Sequence, residues 1–155
     1  MFSCIKEFLQ ILSGVLVPAI AVITVYIAYQ QYKTNRDKLR FELYDKRYSV
    51  YRALKTFVSL IIAQGNIDLK RVFECNRDVK ESEFLFDQEI TSYLEEIFKK
   101  ALELHAVHEK YSSLPVGDER SRLVDKEGNL LLWFENQITV ATNKFSKYLS
   151  LKSLK

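Results

Sequence analysis

The stretch from Phe8 to Tyr32, FLQILSGVLVPAIAVITVYIAYQQY, contains no charged residue. Nothing else in the chain constrains its fold as strongly. At about 1.5 Å rise per residue, the uninterrupted apolar part, Ile11 to Tyr29, spans about 28 Å as a helix, close to the hydrocarbon thickness of a bilayer. Its least apolar members, Ser13, Gly14, Pro18 and Thr24, are not ionisable. A helix that is apolar on every side must be buried on every side, so residues 1–32 read as a transmembrane anchor. A cleaved signal peptide is the competing reading, with Ala19-Ile20-Ala21 as a small-x-small cut. The apolar run continues through Val22 to Ala28, however, whereas the hydrophobic part of a signal ends near its cut. Lys6 is also offset by Glu7. The expectation is an uncleaved anchor.

Flanking charge sets the orientation. Lys33, Arg36, Lys38 and Arg40 crowd the C-terminal flank with only Asp37 against them, while the N-terminal flank offers Lys6 alone. Lys and Arg resist translocation, and Tyr26, Tyr29 and Tyr32 suit the headgroup zone at the same end. The expected topology is a single pass through a bacterial inner (plasma) membrane. The N-terminus lies outside and residues 33–155 form a cytoplasmic domain.

One face of the apolar helix carries Gln10, Gly14, Val17, Ala21, Thr24, Ala28 and Gln31 at alternating spacings of four and three. The stripe is small in the middle and polar at its ends. Small residues let helix backbones approach in lipid, where packing rather than hydrophobicity drives association. It reads as a homo-oligomer seam or, in a larger ring, as a pore lining, although Gly, Ala and Thr are common in membrane helices generally. Pro18 lacks an N–H and crowds the Gly14 carbonyl, so a mild kink is expected there.

The remaining residues suffice for one domain with a core of its own. Four Gly and two Pro in 155 residues, with abundant Leu, Glu, Lys and Tyr, favour helices over a turn-rich β fold. The net charge of +3 is largely the juxtamembrane cluster, and no concentrated basic face points to nucleic acid. Cys4 and Cys75 fall on opposite sides of the membrane in this topology, which excludes an intrachain disulfide and a multi-cysteine metal site.

From Gln30 to Gln64 there is no Gly or Pro, and Leu39, Leu43, Val50, Leu54, Phe57, Val58 and Ile61 recur at helical spacing, with Arg47 the polar interruption. A helix continuous with the anchor is expected, ended by a left-handed Gly65. Glu42 and Lys46 form an i,i+4 pair in the favourable order. A short helix capped by Asn66 or Asp68 follows, with Leu69, Val72 and Phe73 on one side. The next long helix enters at Asp87-Gln88-Glu89 and carries Ile90, Tyr93, Leu94, Ile97, Phe98, Ala101, Leu104 and Val107, with Glu95–Lys99 and Glu96–Lys100 pairs outside. It ends before Leu114-Pro115. Asp118 is the expected N-cap of the last helix, whose apolar face is Leu123, Leu130, Leu131, Phe134, Ile138, Ala141, Phe145 and Leu149, with Trp133 at its edge. The fold class is therefore all-α: a transmembrane helix continuing into an antiparallel bundle of three long helices plus one short.

No catalytic constellation emerges. His105 and His108 stand at i and i+3, but two histidines make a poor metal site, and structural roles are expected for both. There is no phosphate loop, nucleophile elbow or zinc-protease motif. Glu81, Glu83, Asp87 and Glu89 read as a solvated helix start. The four lysines of residues 144–155 read as complements to a helix C-terminus. Tyr44, Tyr48 and Tyr51 read as packing or interface positions. No catalytic residue, cofactor or metal is expected.

The stretches YIAYQQYKTNRDKLRFELYDKRYSVY, FLFDQEITSYLEEI, LPVGDER and WFENQI…KFSKYLSL carry a resemblance over nearly the whole chain. It resembles a family of small, uncharacterised bacterial single-pass membrane-anchored helical proteins, which implies no assigned activity. In architecture it is also similar to the membrane-pore accessory protein of type VI-B CRISPR systems. The pattern of Arg followed four to six residues later by His, seen in many helical ribonucleases of bacterial defence, is absent. The expected function is a non-enzymatic, self-associating membrane protein whose cytoplasmic domain binds a protein partner. The alternative is an oligomeric membrane pore or effector in phage defence.

Overall fold

The computed structural model describes residues 2–150, with side chains for residue 14 and for 16 onward. Among the described residues the chain is all-helical, without a strand. Four helices, α1 (Phe2–Gln64), α2 (Leu69–Val79), α4 (Gln88–Ser112) and α5 (Asp118–Leu149), are joined by short connections, with a single turn, α3 (Ser82–Leu85), between α2 and α4. The chain divides into two compact units, Met1–Glu42 and Leu43–Lys155.

The described residues of the first unit all belong to α1. The helix runs unbroken through Pro18. Apolar side chains are exposed in every direction around it: Val17 (68 %), Val22 (70 %) and Ile23 (58 %) are separated by roughly 100° or more at 3.6 residues per turn. Among the described residues, no helix is long and apolar enough to cross a membrane. The charge-free run begins at Phe8, and its first residues, Gln10 of the expected seam among them, lie outside the described side chains, as does Cys4.

In the second unit, Val50, Leu54, Phe57, Val58 and Ile61 of α1 are buried against Ile90, Leu94, Ile97, Ala101 and Leu104 of α4 and Leu130, Phe134, Ala141 and Phe145 of α5. Burying each of the Val, Leu, Ile and Phe side chains contributes about 1.5–3 kcal/mol, which is why the 3.6-residue period of the apolar positions selects the inward faces. Gly65 ends α1 in the left-handed region at φ 68°, and its N–H donates to the Ile61 carbonyl at 2.9 Å. The chain then returns along α2 and α3, so α1 and α4 run in the same direction. Arg47 reaches Leu85, Phe57 packs against Phe98, and Ile67 meets His105, in matching order. Helix α5 runs opposite to both, with Tyr51 against Phe145 and Glu89 against Lys144.

Some local expectations are corrected and others hold. Leu39 and Leu43, at the start of the expected α1 stripe, are exposed. The inward face of α2 is Val72, Cys75 and Val79, while Phe73 is 60 % exposed. The spacing of Val72, Cys75 and Val79 follows one side of a helix, and Phe73 lies off it. Asp68 occupies the α2 N-cap without a side-chain bond. Gly117, rather than Asp118, is the N-cap of α5: its carbonyl accepts from Ser121 N at 3.0 Å and Ser121 Oγ at 3.2 Å. Asp118 sits in the first turn, where its charge still complements the helix dipole. The α4 N-cap is Asp87, whose Oδ1 accepts from Ile90 N at 3.4 Å.

Candidate functional site

Of the seam positions, Gly14, Val17, Ala21, Thr24, Ala28 and Gln31 are all exposed. A Cβ added at Gly14 would meet nothing within 4 Å. Thr24 returns its hydroxyl to its own helix, Oγ1 donating to the Ile20 carbonyl at 2.8 Å. That bond satisfies the one polar group in the middle of the apolar stripe. Below it, Gln30 Nε2 donates to the Tyr26 hydroxyl at 2.9 Å.

Lys33, Arg36 and Lys38 are exposed and Arg40 is partly buried. Asp37 lies 3.9 Å from Arg36 Nε and 3.8 Å from Arg40 Nη1, one carboxylate between two guanidinium groups. At these distances and exposures the pairs stabilise little, and the cluster keeps its positive excess.

The two histidines are set by separate acceptors. His105 Nδ1 donates to the Ile67 carbonyl at 3.0 Å, tying α4 to the connection after α1. His108 Nδ1 lies 2.7 Å from Glu127 Oε1 on α5, and the Tyr111 hydroxyl is 3.1 Å from the same nitrogen. Glu127 has only 12 % of its side chain exposed. Burial, then the adjacent Glu127 carboxylate, pushes the Tyr111 hydroxyl above its usual range. A buried carboxylate needs such donors to remain charged, which accounts for the His108–Glu127–Tyr111 cluster structurally. A cleft of 430 Å³ lies in front of both histidines, lined also by Asn66, Asp68 and Glu109. Among the described residues, no group of three or more His, Cys, Asp or Glu side chains is placed to hold a metal ion. Glu127 escaped sequence reasoning because its partner is 19 residues away, on another helix.

The acids at the α4 entry are paired across the bundle. Lys144 Nζ meets Glu89 Oε1 at 2.8 Å, and Lys147 Nζ meets Glu89 Oε2 at 2.9 Å and Asp87 Oδ2 at 3.3 Å. Tyr148, then Lys147, holds Asp87 below the usual carboxylate range, and Lys144, then Lys147, does so for Glu89. These lysines therefore close α5 onto α4 as well as complementing a helix end; Lys152 and Lys155 lie outside the described residues. Beside them, Arg47 Nε donates to the Leu85 carbonyl at 3.0 Å, and its guanidinium stands 5.9 Å from the Phe86 ring and 5.5 Å from the Tyr148 ring. The polar interruption in the α1 stripe thus satisfies the end of α3 and stacks on two aromatic faces.

The outward side of α2, α3 and α4 is less well covered. Phe73 lines a groove of 380 Å³ with Phe98, Lys80 and Glu83, and Phe84, next to Glu83 in α3, is 88 % exposed. Cys75 is buried and free, and burial followed by the Asp78 charge pushes its thiol up to about 12. Tyr44 and Tyr48 stack with centroids 6.2 Å apart, and Tyr51 packs on Phe145 at 5.5 Å.

No family model matches this chain, and no curated protein or solved structure is matched either.

Proposed function

We propose that this chain is a non-enzymatic, self-associating single-pass membrane protein whose helical domain binds a protein partner. In this reading Phe8–Tyr32 crosses a bacterial inner membrane with the N-terminus outside, and the bundle is cytoplasmic. One observation carries it: the apolar side chains of α1 from Leu16 to Ile27 are exposed on every face. In water such a surface would cost about 25 cal/mol for each Å² left uncovered, whereas hydrocarbon solvates it without penalty. The flanking Lys33, Arg36, Lys38 and Arg40 supply the orientation.

Self-association is supported by the small-residue face, where Gly14, Ala21 and Ala28 leave room for a second backbone. Partner binding is supported by exposed Phe73 and Phe84, because aromatic side chains on a soluble surface are typical interface anchors. The alternative, an oligomeric pore or effector in phage defence, draws on the same stripe. The internal bond of Thr24 removes a polar group from the middle of that stripe, and this favours a packed seam over a wet lumen.

Topology tests the reading directly. Alkaline phosphatase fused after Lys155 should be inactive, and a fluorescent protein at the same place should mature. Neutralising Lys33, Arg36, Lys38 and Arg40 together should mix the two orientations. Phosphatase activity from the unaltered fusion overturns the orientation. Ion leakage from liposomes holding the purified protein would replace the seam by the pore.

A further inference from the structure

The basic flank of α1 is sided as well as dense. At about 100° per residue, Tyr29, Lys33, Arg36 and Arg40 fall within roughly 60° of one another on a continuous helix, while Lys38 points to the opposite side. Lys33 and Tyr29 are exposed. Arg36 keeps half of its side chain exposed and Arg40 a third, with Asp37 between them at 3.9 and 3.8 Å. The face therefore presents three cations against one acid.

We propose that this Tyr29–Lys33–Arg36–Arg40 face binds the phosphates of anionic phospholipids, an inference that rests on the anchor reading above. Length supports it. Lys33 to Arg40 covers about 10 Å of helix, and the headgroup zone of one leaflet is roughly 5–7 Å deep. Long basic side chains reach back toward the surface across the difference. Chemistry supports it too, because a guanidinium grips two phosphate oxygens at once where an ammonium acts as a point charge. Tyr29, one turn nearer the apolar segment, has the amphipathic ring that suits the level of the glycerol backbone.

Topology counts charges wherever they lie around the helix; lipid binding on one face does not. That difference supplies the test. The full-length protein is placed in nanodiscs of phosphatidylcholine with a minority of phosphatidylglycerol, and retained lipid is counted by native mass spectrometry after release. The wild type should retain phosphatidylglycerol in preference to phosphatidylcholine. Arg36→Gln and Arg40→Gln should each weaken that retention about five-fold, whereas Lys38→Gln should leave it at the wild-type level. Equal losses in Arg36→Gln and Lys38→Gln overturn the sided surface, as does the absence of any preference for the anionic lipid. The anchor reading is scored separately by incorporation into nanodiscs of phosphatidylcholine alone. Failure there overturns the anchor, while incorporation without anionic adducts overturns only the lipid site.

Discussion

His108 on α4 and Glu127 on α5 meet through a 2.7 Å contact between Nδ1 and Oε1. It holds a carboxylate that is almost entirely withdrawn from solvent. Removing one partner of such a pair leaves the other buried and unsatisfied, which costs more than the pair itself contributes.

Glu127→Ala should therefore destabilise the protein by about 2 kcal/mol, and His108→Ala by a similar amount. The double substitution should cost clearly less than their sum, because one interaction is lost twice. Denaturant unfolding of the three variants measures this, and strict additivity would separate the two residues. His105→Ala with His108→Ala should leave the function of the folded protein unchanged. Stoichiometric metal on the wild type, lost in that double variant, would contradict the structural role given to both histidines.

Acid should loosen the junction of α4 and α5. Tyr148 and Lys147 lower Asp87 from its ordinary 3.8, and Lys144 and Lys147 lower Glu89 from its ordinary 4.5. A carboxylate lowered in the folded state contributes stability that is fully present above its ordinary value and lost as pH falls through the lowered one. The loss thus begins below 4.5 and continues below 3.8. Thermal unfolding followed from about pH 6 down to about pH 3 should show Tm dropping in that window. Lys147→Met should flatten the drop while also lowering Tm at neutral pH. A slope identical to the wild type would mean that Lys147 does not set these carboxylates.

The small-residue face predicts an effect of bulk rather than of hydropathy. Ala21→Leu or Gly14→Leu should disrupt self-association while insertion proceeds as before, since leucine is as compatible with lipid as alanine. Gly14 has open space around it within the chain, so the added side chain obstructs only a neighbouring molecule. Ala19→Leu, on the opposite side of the helix from Gly14, Ala21 and Ala28, should change little. If all three variants crosslink like the wild type, any oligomer is held by the second unit instead.

Much of the architecture was legible because helices are local. The 3.6-residue recurrence of Val50, Leu54, Phe57 and Ile61, the left-handed Gly65, the Asp87 entry and the stop before Pro115 each depend on residues within a turn or two. The ion pairs were not legible on the same grounds. Lys46 passes over Glu42, four residues away, and meets Glu81 at 3.1 Å. Lys100 turns to Glu103 at 3.3 Å rather than to Glu96, and Glu103 is shared with Lys126 of α5 at 2.8 Å. An i,i+4 pair is worth only a few tenths of a kcal/mol, so packing of neighbouring helices easily redirects a flexible lysine.

By itself the sequence determined the helical class, the apolar run with its basic flank, and the inward apolar positions of the long helices from Val50 onward, though not for Leu39 and Leu43, which are exposed. These follow from periodicity and from the absence of charge, both written along one dimension. Tertiary structure alone decided that α1 and α4 run in the same direction, that Arg47 lies over the Phe86 and Tyr148 rings, and that Glu127 is buried against His108 and Tyr111. Such contacts join residues tens of positions apart. Their partners are chosen by how the helices pack, and a polar side chain carries no periodic mark of the one it will meet.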